Sequence, residues 1–183
     1  MNMLFAMTIG GVPAHPLLVH IPVVLIPLVA VAAIGAAIFP SWRERYGSAI
    51  VAVAFVGMVG AVLAASAGED LREKAKYDHA EKGDLAKAMS IVMFLVLAAW
   101  LYLPIVIKWW NARKGSHISL PKWLPSVLMI ASVLVSVGSA YAVYDAGHSG
   151  AKSKWGSGEG GPEYGDDDED EDGLGAPVVV NVR

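Results

Sequence analysis

The sequence predicts an all-α membrane fold, in which four spanning helices form an up-down bundle followed by a disordered acidic tail. Three observations predict it. Four stretches, 16–39, 48–68, 88–107 and 123–144, carry no charged side chain. The chain is 55% hydrophobic, and its charged fraction of 17% lies below the roughly 25% of a soluble domain. What charge there is falls between those stretches and in the tail. About 20 apolar residues carry a helix across a hydrocarbon core of roughly 30 Å, so each stretch can span. One such run could be the buried core helix of a soluble protein. Four in a chain of 183 residues leave no amphipathic element to surround them.

The segment 1–11 has no Lys or Arg ahead of its short apolar patch. A secretory signal needs that positive start, so the first span is read as retained. Pro13 and Pro16 bracket its beginning, with Pro16 in the first turn, where a helix tolerates proline. Pro22 and Pro27 lie inside it and predict a kinked or locally unwound helix. The segment 40–47, with Trp42, Arg43, Arg45 and Tyr46, reads as a short loop. In span two, Gly57 with Ala61, and Gly60 with Ala64 and Gly68, form small-x-x-x-small stripes that let backbones approach closely. Ser132, Ser136 and Ala140 repeat that spacing in span four. The expectation is packing within the monomer.

Between spans two and three, 69–87 is charged and looks helical, with Leu71, Ala75 and His79 on one face. The connection 108–122 holds Trp109, Trp110, Arg113, Lys114 and Lys122, an interfacial aromatic and basic signature. The transmembrane domain is therefore placed at 1–148 and the tail at 149–183. Gly and Ser dominate the beginning of that tail, and an unbroken acidic run follows from Asp166 to Asp172. It cannot bury apolar surface and is expected to be disordered.

The chain should be a multi-pass protein of the cell membrane. On one side, the two short loops carry Arg43, Arg45, Lys108, Arg113, Lys114 and Lys122 against the single acid Glu44. The other side holds Arg72, Lys74, Lys76, Lys82 and Lys87 among six acids, and the tail adds Lys152, Lys154 and Arg183. By the rule that counts Lys and Arg the sides nearly tie. The density of cations in short loops points to both termini outside.

Four antiparallel spans bring the start of span one (His15, His20), the middle connection (Asp70, Asp78, His79) and the end of span four (Tyr144, Asp145, His148) to one membrane face. Imidazole is a common ligand of haem iron, copper and zinc. His20 stands out because it lies within the apolar run. Against a shared site, His15 and His20 are five residues apart, about 140° round a helix. That face also has the longer extramembrane chain, so histidines land there by chance. The absence of cysteine excludes disulfides, thiolate metal sites, iron–sulfur clusters and thioether-linked haem. No span has an acid or base at its midpoint, which leaves a transporter without a relay. No phosphate-binding, nucleophile-elbow or zinc-protease motif occurs. The formal charge of −3 speaks against nucleic acid as a partner.

The residues from Gly10 through His15-Pro16 and Val19-His20 to Pro22 resemble the N-terminal signature of the DUF2231 membrane proteins, a bacterial family of unknown function. Gly68-Glu69-Asp70, and then Asp78-His79-Ala80-Glu81 with Gly83 and Asp84, resemble the family's end of span two and beginning of span three. The segment 43–47 is similar to the basic first loop of its actinobacterial members. The likeness covers about 10–144, with His148 at its margin. It implies a four-helix membrane domain, sometimes found beside redox modules, and supplies no activity.

Two functions stay open. One is an accessory or scaffolding subunit whose acidic tail meets a basic partner. The other is a redox module in which His20, with His79 or His148 and with His15 nearby, holds b-type haem, or His20 and His79 hold a metal, beside another membrane or redox protein. An enzyme is the third reading, and no catalytic residue is assigned.

Overall fold

The computed structural model describes residues 8–9, 12–69, 77–115 and 117–155. The order is β1 (Thr8–Ile9), β2 (Val12–Pro13), α1 (Ala14–Ile38), α2 (Pro40–Glu69), α3 (Tyr77–Lys114) and α4 (Leu124–Trp155). The two short strands pair antiparallel, Thr8 opposite Pro13 and Ile9 opposite Val12. Most of the other described residues are helical.

Stretches of 24, 29, 34 and 29 residues within the four helices are long and apolar enough to cross a membrane. At 1.5 Å per residue the shortest reaches about 36 Å, more than the hydrocarbon core requires. The outer surface agrees. Val24, Val31, Ile38, Leu134 and Ile105 are more than half exposed, and they suit lipid as they would not suit water. Inside, small residues dominate: Ala33, Ala36 and Ala54 are fully buried with Ile26, Met93 and Leu97. Each helix packs on its neighbour in the chain, and α4 closes the ring on α1.

The helices are longer than the uncharged runs. Residues 40–47 are the opening turns of α2, where a loop is expected from sequence. Phe39 alone separates α1 from α2: its amide donates to the Gly35 carbonyl at 2.8 Å, and its own carbonyl accepts from Trp42 and Arg43. Pro40 then occupies a first-turn position that needs no amide. The Trp42 ring folds back over Gly35, where a Cβ would sit 2.8 Å from Cε3. Charge there signals water, not loss of helix.

At the other hairpin α3 runs on to Lys114, through part of the connection expected from sequence. Arg113 and Lys114 favour the negative end of the helix dipole, and Gly115 ends the helix at φ 62°. Asn111 straps the turn to the helix, donating from Nδ2 to the Ile118 carbonyl at 2.7 Å and accepting from the Ile118 amide at 3.1 Å.

Nor does α1 unwind. It stays helical through Pro22 and Pro27, with Pro22 buried against α2. The fourth helix continues to Trp155, so residues 149–155, expected in the tail, extend α4. The acidic run, Leu71 and Ala75 lie outside the described residues.

Candidate functional site

The beginning of α1, the end of α2, the beginning of α3 and the end of α4 meet at one end of the bundle, which we call the histidine end. Contacts between antiparallel partners show it: His15 against Gly68, Gly60 against Ile21, and Lys82 against Asp145. The topology read from sequence is correct. The side chains themselves take different partners.

His15 reaches from α1 to α2. Its Nδ1 lies 2.7 Å from the Ala64 carbonyl oxygen. A carbonyl can only accept, so Nδ1 carries the proton. The same ring covers Gly68, where a Cβ would approach Cε1 and Nδ1 to 3.0 Å. Gly68 is therefore what lets the imidazole approach α2 so closely.

His20 turns back on its own helix, with Nδ1 2.7 Å from the Pro16 carbonyl oxygen. Its side chain is exposed. A helix carbonyl has two lone pairs, so accepting from the ring does not require it to give up its backbone bond. His148, one turn beyond Tyr144 on α4, stacks on that ring with centroids 5.9 Å apart and planes at 13°. His79 belongs to the opening turn of α3, and its side chain lies outside the described residues. His15, His20 and His148 thus meet an α2 carbonyl, an α1 carbonyl and an α4 ring. Among the described residues, no group of three or more His, Cys, Asp or Glu could hold a metal ion.

Sequence reasoning missed the tie on the opposite side of this end. Lys82 Nζ of α3 meets Asp145 Oδ1 of α4 at 3.3 Å, both side chains about one-third exposed. Lys87 pairs with Asp84 at 2.8 Å along α3 itself. Deeper in the bundle, Ser139 Oγ lies 2.9 Å from the Met89 carbonyl of α3 and 2.8 Å from the Val135 carbonyl of its own helix. Ser132 donates to the Val96 carbonyl of α3 at 3.4 Å. Ser90 bonds within α3, to the Ala86 carbonyl. Ser136, fully buried, has no partner for its hydroxyl among the described residues. Ser139 follows Ser132 by seven residues, the signal that both share one helix face.

A family model described as a predicted membrane protein (DUF2231) matches residues 11–160. The chain belongs to the DUF2231 family. The match takes in His15, His20, His79 and His148 alike, and it extends past the Tyr144 limit of the resemblance read from sequence. No curated protein and no solved structure matches the chain. The family and the fold agree on a multi-pass protein whose helices lie in a lipid bilayer.

Proposed function

We propose that this DUF2231 protein is an accessory or scaffolding subunit of a membrane assembly rather than an enzyme. The observation that carries the reading is what the polar side chains at the histidine end do. His15 ties α1 to α2, and Lys82 ties α3 to α4 through Asp145. Such ties fix the relative position of the helices and so present a neighbour with a surface of constant shape. The acidic run Asp166–Asp172 supplies an arm for a basic partner. Gentle-detergent purification from native membranes tests this. A complex larger than the 19.3 kDa chain is expected, weakened when residues 161–183 are deleted. Recovery of the single chain alone, even after cross-linking in the membrane, contradicts it.

One observation favours a second reading, a redox module with b-type haem. In His20 the Nδ1 proton is held by the Pro16 carbonyl. That tautomer leaves Nε2 as the basic nitrogen, the arrangement in which an imidazole binds iron. His20 would hold the haem, with His79 or His148 offered as a further ligand by their place at the same end. A closed metal cage of three or four ligands has less support, because the described residues do not assemble one. When bound, haem would supply one-electron chemistry, and the chain's part would be to hold and orient it. The purified protein, supplied with haem, would then show a Soret band lost in His20→Ala; no such band is expected if the chain is solely a scaffold.

A further inference from the structure

The end of the bundle opposite the histidines carries an opening that the scaffold role does not use. The beginnings of α2 and α4 and the distal part of α3 enclose a cleft of about 410 Å³. Arg43, Glu44 and Ser48 give it a polar side, and Leu101, Ile105 and Pro125 give it an apolar one. We infer that this cleft binds an anionic phospholipid of the phosphatidylglycerol type, its phosphodiester at Arg43 and an acyl chain against the apolar wall.

The cation is held in place. The Arg43 guanidinium lies 5.9 Å from the centroid of Trp100, a buried residue that also lines the cleft. Pro104, a further lining residue, lacks the amide that would ordinarily cap the Trp100 carbonyl one turn earlier. A planar fork suits a phosphodiester. Glu44, which lines the cleft with Arg43, asks for hydroxyl donors on the same head group, which glycerol has and choline lacks. Net charge decides against ethanolamine. Six cations on this end face one acid, and such a basic cluster at a bilayer surface draws anionic lipid. Besides Arg43, three more of the six lie on aromatic rings: Arg45 on Tyr46, Arg113 on Trp109 and Lys114 on Trp110. Those rings suit head-group depth, so the cleft opens where phospholipid head groups reside.

The test is native mass spectrometry of the full chain released from nanodiscs of phosphatidylcholine containing minor, equal amounts of phosphatidylglycerol and phosphatidylethanolamine. The wild type should retain phosphatidylglycerol above its share. Arg43→Gln should lower that preference roughly fivefold, the effect of one cation at a membrane surface, whereas Arg113→Gln should keep it. Ile105→Trp, which fills the apolar wall without altering charge, should also lower retention. Millimolar glycerol 1-phosphate should not displace the lipid; displacement would mean a site for soluble phosphate compounds and would overturn the inference. Equal losses in the two arginine variants, or equal retention of phosphatidylethanolamine, would overturn it as well.

Discussion

Between α1 and α2 the backbones meet over glycine, whereas between α3 and α4 they are bridged by serine hydroxyls. A Cβ on Gly60 would stand 2.5 Å from Ile21 Cγ2 and 2.8 Å from Ile21 Cβ, and one on Gly57 would stand 3.3 Å from Ile26 Cγ1. Across the other pair, Ser132 and Ser139 donate to carbonyls of the facing helix. The glycine facing α3 from that side, Gly138, meets only the flexible end of Met89 at 3.0 Å. Lipid tails give helices no hydrophobic reason to associate, which leaves close packing and interhelical hydrogen bonds as the available forces. In this chain the first hairpin relies mainly on close packing, with the single His15 bond at its histidine end, and the second on serine hydrogen bonds. The difference teaches where it is brittle: the first interface fails on adding a methyl group, the second yields gradually as bonds are removed.

The largest effect should come from Gly60→Ala. The methyl meets a β-branched side chain that is stiff at χ1, and a loss of about 1–3 kcal/mol is expected from overpacking. Thermal or denaturant unfolding in detergent measures it. Gly147→Ala is the control, since none of the described residues lies within 4 Å of a Cβ there. It should stabilise α4 by about 0.5–1 kcal/mol.

His15→Ala comes next, with a loss of about 1 kcal/mol for a hydrogen bond that joins two helices. Its partner experiment is Gly68→Ala. That change should cost stability beside the wild-type imidazole and little once His15 is alanine, so a double-mutant cycle should show coupling. An additive cycle would mean that the ring does not rest on Gly68.

Ser139→Ala should cost about 0.6 kcal/mol, the average for such bonds in membrane bundles. Ser136→Ala, which removes a buried hydroxyl that has no partner among the described residues, should cost nothing or raise stability. Unequal results of this sign would confirm that hydrogen bonding, not mere small size, joins α3 to α4. Lys82→Ala should also have a small effect: a partly exposed pair of this kind contributes about 0.2–1 kcal/mol, falling with added salt.

The four spans were legible because a lipid-spanning helix needs a long run without charge, and such runs are conspicuous. Helix ends were not. Arg43, Glu44 and Arg45 say that 40–47 leaves the hydrocarbon, and they say nothing against helix; Phe39-Pro40 was the sign of a new N-terminus. The same confusion of wet with coiled shortened α3 and α4 in the sequence reading. The histidine end was legible from topology alone. What each imidazole touches was not, because spacing fixes neither helix rotation nor rotamer. Gly60 was marked as a packing residue by its spacing, and the structure gives it a partner in Ile21. Ser139 escaped because the four-residue stripe from Ser132 ends at Ala140, while a period of 3.6 returns the same face at Ser139.

If the polar groups of the histidine end hold the helices in place for a partner, replacing His15 should loosen the assembly. Cross-linking in native membranes, followed by mass determination of the wild type and of His15→Ala, tests it most directly. The prediction is a defined assembly larger than the chain, whose yield falls when His15 is replaced. An uncomplexed chain in both cases, carrying haem that His20→Ala removes, would contradict it.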